Sequence, residues 1–242
     1  MGTYWIRSAA VAALAAASLQ VHAASVTLTG WAFGNGNNVS ATGYSGAAGA
    51  FKGALSGTGA TDTTNFITYC IELSEFFYFS PTPMANYAVV DGASYFQSRR
   101  NDAGIAERLG RLLTFVSQNP TRVDDAAEST SMQLAIWNIV YDSDSTVTGN
   151  SSNFRDTSSY GSYANPLLNG ARGITTSNFD VFALQRAGSQ DFLLATQRVA
   201  RDGNSSASQV PEPTSLALVA VALAGLGAAG KRRVSRAAAA TA

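Results

Sequence analysis

The chain predicts an α+β protein: a β-rich body with two adjacent amphipathic helices, an N-terminal signal helix before it and a C-terminal transmembrane helix after it. Three observations carry that expectation. Runs rich in aromatic and β-branched residues are scattered through the first half and return near residue 180. From Gly104 the apolar period changes from two to three and four. Both ends of the 242-residue chain hold uncharged apolar stretches.

In chain order, residues 1–23 read as a signal peptide. Arg7 is the only positive charge before an Ala-rich run at 8–19, and Val21-His22-Ala23 offers small residues at both positions a signal peptidase reads, so cleavage is expected after Ala23. The run is too short to cross a bilayer comfortably. The exported globular domain then covers 24–209, enough chain for one domain with a sizeable core.

Within it, 25–33 alternates Val26 and Leu28 with threonines and reads as a first strand. Residues 34–64 are dominated by Gly, Ser, Ala, Asn and Thr and are expected to form a long exposed loop or irregular edge, as are 143–165. One or two strands are expected in 65–79 and another at 86–90. Ile105, Leu109, Leu112, Leu113 and Val116 define a helix ending near Asn119-Pro120. A second helix is expected over 124–141, with acids in its first turn and an apolar stripe of Met132, Ile136, Ile139 and Val140. Short closing strands are expected at 179–184 and 190–195.

Charge and chemistry exclude several functions. Eleven basic residues against fifteen acids leave the 24–209 body at −4, which disfavours nucleic acid as a partner. The single histidine, His22, lies in the signal peptide, so the exported body has no Ser-His-Asp or Cys-His site and none of the common Cys and His zinc sets. No metal and no cofactor is expected, and no turnover enzyme. The acid pairs Asp124 with Asp125 and Asp142 with Asp144 lack calcium-loop spacing and read as helix-border caps.

The far end has a different grammar. Val210-Pro211-Glu212-Pro213 precedes an uncharged run at 216–229, closed by Lys231, Arg232, Arg233 and Arg236. The run reaches the ~20 residues of a membrane span only when 213–230 is counted. Its Ala, Val and Gly content makes it a weak anchor, and the basic stop places the body outside the cytoplasm. Pro211 and Pro213 keep the preceding segment extended and accessible to a processing enzyme. Segment 210–236 resembles the PEP-CTERM signal of Gram-negative exoproteins. That resemblance implies processing by exosortase, a transient stay in the inner membrane through the C-terminal helix, and a final place at the cell surface or in the extracellular matrix.

An exported protein normally pairs its cysteines, yet Cys70 is alone. Tyr69-Cys70-Ile71-Glu72 and Met132-Gln133-Leu134-Ala135-Ile136-Trp137 together resemble the two signature boxes of bacterial surface thioester domains, with Tyr69, Ile136 and Trp137 as supporting positions. The resemblance covers about 65–199. It implies a bond between the Cys70 sulfur and the Gln133 side-chain carbonyl, through which a surface nucleophile or extracellular polysaccharide would be held covalently, with Tyr69, Phe66 and Trp137 as an apolar wall. Gln133 and Trp137 share a helix face at the margin of the apolar stripe. The alternative is a non-reactive structural or carbohydrate-associated matrix protein in which Cys70 is a buried small hydrophobe. A hydrolase using paired carboxylates is a third and weaker reading.

Overall fold

Alternation sets the first strand, β1 (Ala23–Trp31): Ala24, Val26 and Leu28 are fully buried while their neighbours face outward. The computed structural model describes residues 23–149 and 153–198. It is a β-rich α+β fold. β1 is followed by β2 (Asn37–Ala41), β3 (Tyr44–Ala48), β4 (Phe51–Ser56), β5 (Thr63–Thr68) and β6 (Met84–Asp91). Four helices come next, α1 (Gly92–Arg100), α2 (Gly104–Gln118), α3 (Ala126–Tyr141) and α4 (Gly161–Arg172), and then β7 (Phe179–Gln185) and β8 (Phe192–Gln197).

Six strands form one antiparallel sheet in the order β5-β4-β1-β6-β7-β8, and β2 and β3 make a separate hairpin. The sheet curls until its two edges almost meet. Just beyond β5, Cys70 bridges Phe192 of β8, the Leu193 N–H donates to Tyr69 O at 3.0 Å, and the Ile71 N–H donates to Asp191 O at 3.2 Å. Closure hides both strand edges there. α1 and α2 pack against the β6 and β7 side, α4 lies on α2 and α3, and the β2-β3 hairpin lies on α3.

The expected loop at 34–64 is incorrect: it holds β2, β3 and β4 and the start of β5. Small residues do not preclude strands where backbones must approach closely, and Gly43 (φ 77°) makes the hairpin turn while Phe51 and Leu55 anchor β4 in the core. Two helices were too few. α1 carries no apolar stripe, burying only Gly92, Tyr95 and Phe96, and it starts because Asp91 accepts from the Ser94 N–H. α4 begins inside the expected 143–165 loop; Ala164, Leu167, Leu168 and Ala171 form its buried stripe despite Pro166. Segment 72–79, the latter part of the stretch expected as strand, has no regular secondary structure. α3 starts two residues later than expected, with Asp125 accepting from the Glu128 N–H at 2.8 Å and Glu128 accepting from the Asp124 N–H.

α3 also departs from a one-sided stripe, since every residue from Ser129 to Val140 is buried. The hairpin covers the face that amphipathic reading assigns to water. Its backbone is satisfied by α3 hydroxyls: the Ala50 N–H donates to Ser129 Oγ, and Thr130 Oγ1 donates to Ala48 O, both at 2.8 Å. The expected signal peptide up to residue 22, the expected membrane helix at 213–230 and the sorting segment lie outside the described residues. Among the described residues, no helix is long and apolar enough to cross a membrane.

Candidate functional site

The edge-to-edge closure decides what Cys70 presents. Its neighbours Tyr69 and Ile71 take the hydrogen bonds to β8, so the N–H and C=O of Cys70 itself point the other way, where no strand runs. Gln133 of α3 fills that gap. The Cys70 N–H donates to Gln133 Oε1 at 2.9 Å, and Gln133 Nε2 donates to Cys70 O at 2.8 Å. A carboxamide carries one donor and one acceptor side by side, so it completes the ladder as a peptide group would. Gln133 is 1% exposed and Cys70 6%. The expected place for Gln133, at the margin of a stripe, is therefore corrected to the interior.

Both side chains line one cavity of about 300 Å³. Its apolar wall is Trp31, Phe51, Phe77 and Phe79 on the sheet side and Tyr44 and Trp137 on the hairpin and helix side. The rings interlock: Trp31 and Phe51 centroids are 4.9 Å apart, Phe51 and Phe77 4.5 Å, Tyr44 and Trp137 4.7 Å. Trp137, 2% exposed, keeps its buried Nε1–H without a partner among the described residues. Ile136 is buried but does not line the cavity. Tyr69 and Phe66 do not form this wall; both line a separate groove with Ile67 and Leu193.

Sequence reasoning missed Trp31, Tyr44 and Gln190 in the cavity. It also misread the aromatic run at 76–79, whose signal was the density of rings. That run alternates without being a strand: Phe76 and Tyr78 project outward, 76% and 83% exposed, while Phe77 packs on Phe51 and Phe192. It is tied down by the Gln190 N–H to Phe76 O and the Ser80 N–H to Leu28 O.

Burial pushes the Cys70 thiol well above its ordinary range, so it is protonated at neutral pH. Burial pushes Tyr44 up to about 12, with the Cys70 charge adding to the shift. A neutral thiol is inert toward solvent. The Cys70 N–H polarises the Gln133 side-chain carbonyl to which it donates.

Two groups of three carboxylates could offer oxygens to a cation among the described residues: Glu72, Glu75 and Asp191, and Asp124, Asp125 and Glu128. The second group is the α3 cap described above. In the first, Asp191 accepts from Tyr95 Oη at 2.7 Å and from the Arg186 N–H at 2.9 Å. Asp142 and Asp144 are occupied in loop hydrogen bonds, the former accepting from the Ser143 and Phe154 N–H groups.

Burial, then the charges of Glu72 and Asp191, raise Glu75 above its ordinary 4.5. A carboxyl with a raised folded-state pKa contributes stability below its unfolded value, and that stability is lost as pH rises through the folded value. Glu75→Gln should therefore raise the melting temperature at neutral pH and flatten its decline as pH rises above the ordinary carboxyl range. Thermal unfolding followed by circular dichroism at a series of pH values measures both.

The comparisons with known proteins bear on the other end of the chain. Residues 209–233 match the PEP-CTERM protein-sorting motif. No curated protein and no solved structure matches the chain. The motif supports an exosortase substrate, exported toward the cell surface of a Gram-negative bacterium. Its span contains Val210, Pro211, Glu212 and Pro213 and reaches Lys231, Arg232 and Arg233 of the basic stop.

Proposed function

We propose that the exported domain is a single-use covalent tether, closed by a thioester between Cys70 and Gln133 and opened by a nucleophile on an extracellular partner. The observation that supports the reading is the pairing of these two residues, 63 positions apart, by two hydrogen bonds in the wall of one aromatic cavity. In the forming step the Cys70 sulfur bonds to the Gln133 Cδ, the thiol proton leaves with Nε2, and one ammonia is released. In the capture step an amine or hydroxyl takes the acyl group and the Cys70 thiol is regenerated. Each molecule reacts once, so the domain is not a turnover enzyme. The aromatic wall keeps water from the bond, and the spare Trp137 N–H belongs to the same cavity lining as the Gln133 acyl group. Signal peptidase and exosortase would process the two ends, with the C-terminal helix holding the chain in the inner membrane until sorting.

A second reading has its own support: the intact Gln133 carboxamide is satisfied on Cys70, and burial disfavours the thiolate. The domain is then a non-reactive matrix component. Intact mass under non-reducing conditions separates the two. The tether is lighter by one ammonia, the deficit vanishes in Cys70→Ala, and methylamine labels Gln133. A full-mass protein whose thiol titrates freely on unfolding overturns the tether.

A further inference from the structure

A second cavity, of about 380 Å³, opens between α2, α4 and the loop that follows α3. Arg108 and Arg111, one turn apart on α2, and Arg172 in the last turn of α4 all reach it, together with Ser143, Asp144 and Ser145 of the loop. The guanidiniums are poorly neutralised. Arg108 is paired with Asp102 at 2.7 Å, but Arg111 and Arg172 have no hydrogen bond or ion pair among the described residues. The Nε–H groups of both Arg108 and Arg111 are buried without a partner. Asp144 is the one acid in the wall, and its Oδ1 is already committed to Asn138 Nδ2 and the Thr146 N–H, each at 3.1 Å. With Asp102 counted, three cations face two carboxylates.

Unpartnered buried donors on a fork-shaped cation are costly, and a planar or tetrahedral oxyanion satisfies them in pairs. We propose that this cavity is an oxyanion-binding site, for the carboxylate of an acidic sugar or for a phosphate ester, held bidentately by Arg111 with Arg108 Nε and Arg172 and supported by the Ser143 and Ser145 hydroxyls. The proposal stands apart from the Cys70–Gln133 tether. The body as a whole is negative, so attraction is local and falls with salt.

The test is calorimetric titration of the full chain in detergent with glucuronate and with inorganic phosphate, at low and raised salt. Saturable binding of either is expected, weakened at least about tenfold in Arg111→Gln and in the more exposed Arg172→Gln, without recovery in Arg111→Lys. Tighter glucuronate binding assigns the site to uronate-bearing glycans, and tighter phosphate binding assigns it to phosphate esters. Circular dichroism of each variant keeps loss of fold separate from loss of binding. Absence of saturable binding, or binding that both folded variants retain undiminished, overturns the proposal.

Discussion

Gln133→Ala should cost at least about 2–6 kcal/mol of stability, because it strips partners from two buried backbone groups at once. The Cys70 N–H and C=O face away from β8, and in the alanine variant neither finds a replacement in a wall made of rings. Each orphaned group costs ~1–3 kcal/mol, and the lost side-chain volume adds a cavity term. Cys70→Ala is the informative companion. It keeps the Cys70 backbone and both hydrogen bonds, so a merely buried cysteine costs only about 1 kcal/mol. A thioester would instead cross-link positions 63 apart, and by loop-closure entropy its loss costs about 4 kcal/mol. Urea unfolding of both variants measures the two values. A Gln133→Ala protein as stable as the parent would show that the paired hydrogen bonds contribute nothing. A Cys70→Ala protein within ~1 kcal/mol of the parent would argue against the cross-link.

What the sequence made legible follows from which forces act locally. α2 was readable because its burial is one-sided, and α3 was readable through its acidic first turn and its apolar residues. The boxes around Cys70 and Gln133 could be singled out by residue type. Their juxtaposition could not be derived from spacing, because it depends on where a six-stranded sheet closes. The hairpin β2-β3 was illegible for a related reason. Its strands are rich in Asn, Ser, Ala and Gly, whose composition signals a loop, and they are held by side-chain bonds to α3 together with the burial of Val39 and Ala48. That hidden partner is also why Gln133 appeared marginal: the helix face assigned to solvent is covered by the hairpin. Tyr44 reaches the cavity through the same hairpin, and no pattern around it announces that role.

The tail and the body make different demands on one chain. A sorting segment must be extended and accessible to its processing enzyme, which the two prolines at 211 and 213 favour. A reactive acyl group must be dry until a partner arrives. Were the proposed thioester formed, the aromatic run at 76–79 would serve the second demand, with Phe77 and Phe79 walling the cavity and the largely exposed Phe76 and Tyr78 also lining it. Among the described residues two backbone hydrogen bonds, from Gln190 and Ser80, tie this run to the rest of the body, so it should open at lower cost than the sheet.

Closure itself should fail in Gly53→Ala, with a loss of more than about 3 kcal/mol, at or beyond the upper end of overpacking costs. Gly53 sits in the middle of β4, paired with Leu28 of β1 and with Phe66 of β5, at a point where both registers shift. A Cβ there would overlap the carbonyl oxygen of Thr27, a backbone atom that no rotamer change can remove. Register shifts of this kind bend a sheet, and the bend is what carries β5 round toward β8. Straightening it would pull Tyr69 and Ile71 away from Leu193 and Asp191. The Leu193 and Ile71 amides should then lose hydrogen-exchange protection before the β7-β8 pairing does. Gly30→Ala is the control: the same strand region accepts a Cβ with nothing nearer than Lys52 Cε at 3.9 Å, so that variant should keep the parent's midpoint. If Gly53→Ala matches Gly30→Ala in stability and exchange, the close approach of β1 and β4 does not set the curvature, and the meeting of Cys70 with Gln133 must be fixed by the α3 side alone.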